Sequence, residues 1–335
     1  MKNVTIKDVA RQADVSPSTV SRVISNSPRI SPETSKRVRD TMKELGYHPN
    51  AIARSLVMQK TNTIGLVLAR RTDTAFANPF FTEIIQGIAV VAQQSHFNLM
   101  LSAAQDYHQE REEVLKMFQN RMVDGVILMA SRVNDELIKK LQQTNSPFVL
   151  IGRSLEIDNI PIVNNNNIKA AYQMTDFLIG KGYRKIAAIS GPADYVVSQD
   201  RMKGYQQALQ EHGIPFKEEL IRYCDFSYEG GYEAALAILK DNEIDAFFAF
   251  DDMMAFGTLR AAEKLGFAVP DQLAVAGFND DPIVAYFRPA LTTVKIPILK
   301  MGEAAARMLI RIIKEEDYSG EEVIIPTEII PRESV

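Results

Sequence analysis

The stretch SPSTVSRVIS, residues 16 to 25, sets five hydroxyl side chains and one guanidinium around three branched apolar residues. Hydroxyls this short let a helix approach a surface closely and bond phosphates or base edges, and an arginine among them can reach guanine O6 and N7 with two parallel bonds. Much further along, polar residues follow apolar runs directly: Asp251-Asp252 after AFFAF, and Asn279 after Gly277-Phe278. An ionised carboxylate at such a strand end can accept hydrogen bonds from vicinal hydroxyls of a small molecule. Little here suits a catalyst. The histidines (His48, His96, His108, His212) are scattered, and there is no Gly-rich phosphate loop, no Cys/His metal spacing and no G-x-S-x-G. Adjacent residues after a strand cannot both face one substrate, so Asp251-Asp252 is a poor acid/base pair. The chain therefore reads as a binding protein, not an enzyme, with no cofactor.

The elements that would carry these residues differ between the two ends of the chain. Residues 1–60 hold eleven Lys/Arg against five Asp/Glu, a net +6, which leaves −10 on the other 275 residues of this 335-residue chain. A basic head on an acidic body suggests a polyanion-binding module joined to a separate one. Thr5 precedes a helical pattern with Ile6, Val9, Ala10 and Ala13 inward. Ser16-Pro17 and Ser31-Pro32 each give a cap followed by proline at the first helical position, and Gly46 is a stop. Val20, Val23 and Ile24 form the inward stripe of the second helix, leaving Ser18, Thr19, Ser21 and Arg22 outside. Two short helices with a tight turn, buttressed by a third, make a helix-turn-helix unit; on pattern alone the same residues also fit a small three-helix bundle with a solvated face. From Thr63 apolar runs alternate with helical stretches: IGLVL, FNLML, GVILMA, FVLIG, KIAAIS, DAFFAF and LAVAGF. Such alternation predicts parallel sheets with helices on both faces, in two lobes. The Pro161-Ile162-Val163 stretch and the Thr292–Pro297 segment are expected to cross between them. The single cysteine, Cys224, excludes an intrachain disulfide, the N-terminus lacks an apolar signal-peptide core and no apolar run reaches membrane-spanning length, so a cytoplasmic protein is expected.

The segment TIKDVARQADVSPSTVSRVISNSPRISPETSKRVRDTMKELGYHPNAIARSL resembles the N-terminal region of the lactose/galactose-repressor (LacI–GalR) family of bacterial transcription regulators. The resemblance implies base contacts from Ser18, Thr19 and Arg22, with Pro17 at a position where specificity varies. Thr5, Ser16, Ser21, Asn26 and Arg29 complete the expected DNA surface. Asn50 can cap a short helix AIARSLVMQ. In the family this is a hinge helix that folds on operator DNA beside its two-fold mate, which places Ala53 and Arg54 on DNA and Leu56 as a minor-groove wedge. The expected partners are thus a pseudo-palindromic operator and a second copy of the chain; EIIPRESV carries no leucine-heptad tail, which favours a homodimer over a tetramer.

The rest of the chain is similar to the family's core, two α/β lobes like a periplasmic sugar-binding protein with a ligand in the cleft. The fold expected is therefore α/β, with an all-α helix-turn-helix head and a two-lobed core of parallel sheets. The domains are 1–49 (head), 50–62 (hinge helix and linker) and 63–335 (core; lobe 1 about 63–161 and 292–320, lobe 2 about 162–291 and 321–335). The motifs NPFFTEIIQG, DRMKGYQQAL, FDDMMAFG and VAGFNDDP stand where the family's cleft motifs stand. By that likeness Arg201 grips ligand oxygens, Asp251 accepts from sugar hydroxyls, and Phe76, Asn78 and Phe80 offer a stacking loop, with Phe81 assigned to the core. Arg153, Tyr195, Phe226 and Asn279 line the same cleft. Asp252 is assigned to structure, able to cap its helix. VNNNN stands where the family carries VDNDN, so asparagines replace its acids. The NPFF loop, Gly152-Arg153 and DRMKGY most resemble maltose-operon repressors, which implies a small neutral sugar, maltose or a maltooligosaccharide, as inducer; a purine or a protein corepressor is the alternative.

Overall fold

The computed structural model describes residues 4–25, 27–47, 60–68, 78–315 and 320–335. Asn26, Asn50, Ala53, Arg54, Leu56 and Phe76 lie outside them. The chain divides into two compact units, the head (with residues 121–124) and the body from Thr63 onward.

In the head, α1 (Ile6–Gln12), α2 (Pro17–Ile24) and α3 (Pro32–Glu44) close on Val9, Ala10, Ala13, Val20, Val23 and Val38. Their ends are set locally. The Asp8 carboxylate accepts from the Thr5 amide at 3.0 Å and hydroxyl at 2.7 Å. Ser16 Oγ accepts from the Thr19 amide at 3.1 Å, and Ser31 Oγ from the Thr34 amide at 3.2 Å, with proline at the start of each helix. Each such cap satisfies a helix-end donor and stabilises by about 1 kcal/mol. Gly46, at φ +62, takes the left-handed turn after α3 that a side chain would strain. Arg37 Nε donates to the Ala13 carbonyl at 3.1 Å, tying α3 to the turn between the first two helices.

The body runs β1 (Thr63–Leu68), α4 (Pro79–Gln94), β2 (Asn98–Ala103), α5 (Tyr107–Gln119), β3 (Gly125–Leu128), α6 (Glu136–Gln143), β4 (Phe148–Ile151), β5 (Ile162–Asn165), α7 (Asn167–Gly180), β6 (Ile186–Ser190), α8 (Val196–Glu211), β7 (Ile221–Tyr223), α9 (Tyr228–Asp241), β8 (Ala246–Ala249), α10 (Asp252–Lys264), β9 (Ala274–Asn279), β10 (Thr292–Lys295), α11 (Ile298–Ile313), β11 (Glu322–Ile325) and β12 (Glu328–Ile330). The strands form two six-stranded sheets, ordered β11-β5-β4-β3-β1-β2 and β12-β10-β9-β8-β6-β7. All pairings are parallel except β12 on β10. Central strands such as GVIL and AFFA are buried at every residue, as a sheet covered on both faces requires.

Sheet membership corrects the expected lobe boundaries. β5 belongs to the first sheet, not the second lobe; β10 belongs to the second sheet; β11 returns to the first. The chain therefore crosses after Asn165, after Lys295 and between Ile325 and Glu328. The reason is that a strand joins whichever edge its non-local partner offers: Ile162 and Val163 pair with Leu150 and Ile151, and Thr292 and Thr293 with Ala276 and Gly277. After its crossing, α11 packs on α4 at unusually close range. A Cβ on Gly87 would stand 2.2 Å from the Leu299 carbonyl oxygen, and one on Gly302 2.3 Å from that of Ile84, so only glycine fits on either side. No helix of the described residues is long and apolar enough to cross a membrane.

Candidate functional site

Two surfaces gather the chemistry anticipated above. On the head, Ser16, Pro17, Ser18, Arg22 and Arg29 are exposed, and Thr19 and Ser21 half-buried. Ser16 Oγ lies 2.7 Å from Ser18 Oγ and 2.9 Å from Thr19 Oγ1, so the hydroxyls already form one cluster at the start of α2. The amides of the first helical turn stand behind this cluster, an arrangement suited to a phosphate oxygen. Thr5, also exposed, donates its hydroxyl to Asp8 and keeps only its lone pairs for an outside donor.

In the body, a cleft partly open to solvent lies at the carboxyl ends of the strands. The structure brings Asn78, Phe80, Arg153, Tyr195, Arg201, Phe226, Asp251 and Asn279 into its walls. The edge of Phe81, otherwise core as anticipated, joins them. Asn78 Oδ1 caps α4 by accepting from the Phe80 amide at 3.0 Å, while its Nδ2 crosses to the second lobe and donates to Asp251 Oδ2 at 3.0 Å. Asn279 Nδ2 donates to the same oxygen at 3.1 Å. Phe226 meets Tyr195 edge to face at 6.2 Å, and its ring fills the place where a Cβ on Gly191 would stand.

One assignment needs correction. The cap of α10 is Asp251, whose Oδ1 accepts from the Met253 amide at 2.8 Å, and not Asp252. Asp252 is the first helical residue and points inward, accepting from Thr293 Oγ1 at 2.6 Å and the Asp281 amide at 2.8 Å. Arg201 lines the cleft and is held firmly there. It is 4 % exposed, its Nε donates to Asn167 Oδ1 at 3.0 Å, its Nη1 donates to the Phe250 carbonyl, and its guanidinium lies 3.7 Å over the Phe278 ring. Side chains that sequence reasoning passed over complete the wall. Asp200 takes both Nε and Nη2 of Arg153, and Asn164, Asn165, Asn167 and Ser131 line the cleft. The one available signal was the adjacency of Asp200 to Arg201, which says nothing about which of two neighbouring helical residues turns inward.

Behind the cleft lies an unusual concentration of acid. Burial pushes the Asp252 carboxyl up to about 7, with Asp251 and Asp280 adding to the rise and its two donors opposing it. Asp281, 1 % exposed and without a hydrogen-bond partner on either carboxylate oxygen, is raised well above the ordinary range by burial and then by Asp252, Asp251, Glu83 and Asp280. The backbone leading into it is left-handed at Asn279 (φ +127) and Asp280 (φ +62), a conformation costing about 1–3 kcal/mol per residue outside glycine. No group of three or more His, Cys, Asp or Glu among the described residues is placed to hold a metal ion.

A helix-turn-helix head and a two-lobed body with a polar, aromatic-lined cleft define a DNA-binding regulator with a small-molecule sensor. Residues 5–50 match the family model described as bacterial regulatory proteins, lacI family, and residues 175–335 the periplasmic binding protein-like domain. The chain is 35 % identical to catabolite control protein A of Priestia megaterium over 335 residues, 99 % of each chain. It is 37 % identical to the transcriptional regulator MalR of Streptococcus pneumoniae over 314 residues, 93 % of each. The solved transcriptional regulator CelR–cellobiose complex superposes with a TM-score of 0.78 at 33 % identity, covering 99 % of this chain and 100 % of that one. The chain belongs to the LacI family and is a DNA-binding transcriptional regulator.

Proposed function

We propose that this regulator represses by binding a pseudo-palindromic operator as a homodimer and is released by a small neutral sugar, maltose or a maltooligosaccharide, in the cleft. The observation that carries the effector class is the make-up of the cleft wall, where the aromatic rings of Phe80, Tyr195 and Phe226 stand beside the neutral amides of Asn78, Asn164 and Asn279. Neutral amides of this kind both donate to and accept from hydroxyls, at about 0.5–1.5 kcal/mol net per bond. The charges nearby sum to zero. Arg153 is neutralised by Asp200, and Arg201 and Asp251 add one charge of each sign to the lining, so neither an anion nor a cation is called for. Phe80, Tyr195 and Phe226 offer aromatic surface to sugar faces. The similarity to MalR and to a regulator solved with cellobiose supports the same class.

The test is a titration of the full chain on operator DNA at fixed salt. Saturating maltose is expected to weaken operator binding roughly 5- to 150-fold, a coupling of about 1–3 kcal/mol. Affinity that is flat with maltose but rises with a purine would replace the sugar inducer by a corepressor. Within the head, Arg22→Ala is expected to cost about 1–3 kcal/mol on operator and to relax preference at one symmetric base position. An equal loss on random DNA would reduce Arg22 to a phosphate contact. Exposed apolar side chains on α4 (Val90) and edge strand β2 (Leu101), and Phe256, Ile283 and Tyr286 in the second lobe, support self-association. Sedimentation of a stable monomer or a tetramer would overturn the dimer.

A further inference from the structure

Arg132 does not line the cleft, yet it holds a residue that does. It leaves the first lobe just after β3, and its guanidinium, with a side-chain exposure of 9 %, lies 4.7 Å from the Tyr107 ring centroid and 4.8 Å from that of Tyr195. Tyr107 belongs to α5 of the first lobe, and Tyr195 opens α8 of the second. Nη2 donates to the Tyr195 hydroxyl at 2.9 Å, Nη1 to Glu110 Oε2 at 2.7 Å, and Asp194 stands 3.8 Å from Nε. The backbone repeats the connection. Arg132 and Tyr195 face each other as an antiparallel bridge, in which the Val133 amide donates to the Asp194 carbonyl at 2.9 Å and the Val196 amide to that of Ser131 at 3.1 Å.

The first-lobe side of this contact is anchored. Tyr107 donates its hydroxyl to Asp135, the cap of α6, at 2.8 Å, and Glu110 is buried on α5. Burial pushes the Glu110 carboxyl up to about 7 although Arg132 pulls it down, and a buried ion pair is by itself weak evidence of a stabilising role. The second-lobe side is the cleft itself, since Tyr195 lines it and packs on Phe226. A lysine could keep the charge facing Glu110. Only a planar guanidinium can stack on two rings while its fork serves a carboxylate and a phenol at once.

We infer that Arg132 is a positioning residue for the effector: clamped between Tyr107 and Tyr195, it aims the Tyr195 ring into the cleft and fixes the register in which the lobes meet. This rests on the reading that the cleft binds a sugar.

The test compares Arg132→Lys, Tyr195→Ala and the double variant in the full chain, by calorimetric titration with maltose and by native-state hydrogen exchange. Arg132→Lys retains a cation beside Glu110, so it is expected to unfold within a few degrees of the wild type. It should bind maltose at least 10-fold more weakly, and in the Tyr195→Ala background it should change maltose affinity less than twofold, because its effect passes through that ring. Without sugar, the amides of Val133 and Val196 should exchange at least 10-fold faster in Arg132→Lys while the cores of both sheets keep their protection. Wild-type maltose affinity in Arg132→Lys, or a loss that adds in full to that of Tyr195→Ala, would overturn the inference. A wild-type chain that does not bind maltose would refute the sugar assignment instead, and unchanged exchange at Val133 and Val196 would then overturn the role of Arg132 on its own.

Discussion

Asp251→Asn is expected to weaken effector binding about 100-fold and leave effector-free operator affinity within about threefold of the wild type. The substitution is nearly isosteric, but the site cannot absorb it. In the wild type, Oδ1 caps α10 through the Met253 amide, and Oδ2 accepts from Asn78 Nδ2 in one lobe and Asn279 Nδ2 in the other. An asparagine there has one acceptor for three donors. Turned one way, its amide nitrogen faces two amide nitrogens; turned the other, it faces the Met253 N–H and the helix loses its cap. Hydrogen bonds to a charged group contribute about 1.5–3 kcal/mol each, so losing the link between lobes costs on the order of 3 kcal/mol, or two orders of magnitude in affinity. The head is a separate compact unit, which is why DNA binding without effector is spared. Fluorescence anisotropy on labelled operator, with sugar added stepwise, reads both quantities. A variant that leaves DNA at the wild-type sugar concentration would remove Asp251 from the response.

Asp281→Asn is expected to stabilise the body at pH 8, by on the order of the 1–3 kcal/mol that an unpaired buried group costs, and to make little difference near pH 4. The sign follows from proton counts. Asp281 and Asp252 hold raised carboxyls in the folded body, Asp252 up to about 7 from an ordinary 3.8, whereas the unfolded chain releases those protons in the ordinary range. Between about pH 4 and pH 7 the folded state therefore binds more protons than the unfolded one, and stability falls as pH rises through that window. The groups facing Asp281 are Asp251 and Asp252 of the β8–α10 junction, neighbouring Asp280 and, from α4 in the other lobe, Glu83; the Arg332 cation is engaged with Asp280 at 2.6 Å. An asparagine at 281 carries no charge at any pH, which relieves both members of the pair. Glu110 and Glu83 also carry raised carboxyls, so the informative quantity is the difference between variant and wild type in urea-unfolding free energy across pH. Parallel profiles from pH 4 to pH 8 would show that no proton is held at Asp281.

The division between what residues say locally and what the fold decides follows physical range. Head helix ends were legible because a cap is a contact between residues three apart: Ser16 with Thr19, Ser31 with Thr34, Thr5 with Asp8. The seven apolar runs marked seven strands: six are buried along their length, as strands covered on both faces must be, while the seventh, β2, is a partly exposed sheet edge. The cleft candidates could be picked because ligand sites of parallel sheets gather at strand ends, and family likeness told which residues there to name. Which sheet β5, β10 and β11 would join was not legible, since IVNN, TTVK and EVII specify extended backbone and no partner. Nor was the choice between Asp251 and Asp252 as cap: two adjacent identical side chains differ only in what the fold brings to them. Thr293 and the Asp281 amide, 41 and 29 residues away, draw Asp252 inward and leave Asp251 to cap and to face the cleft. The same holds for Arg132, whose hydroxyl partner Tyr195 lies 63 residues on and whose carboxylate partner Glu110 lies 22 back. The elements and the chemistry available at their ends are local properties, legible in the order of the residues. Tertiary structure alone decided the partners, because the energy of a buried polar or charged group depends on which donors surround it after the chain has crossed between lobes.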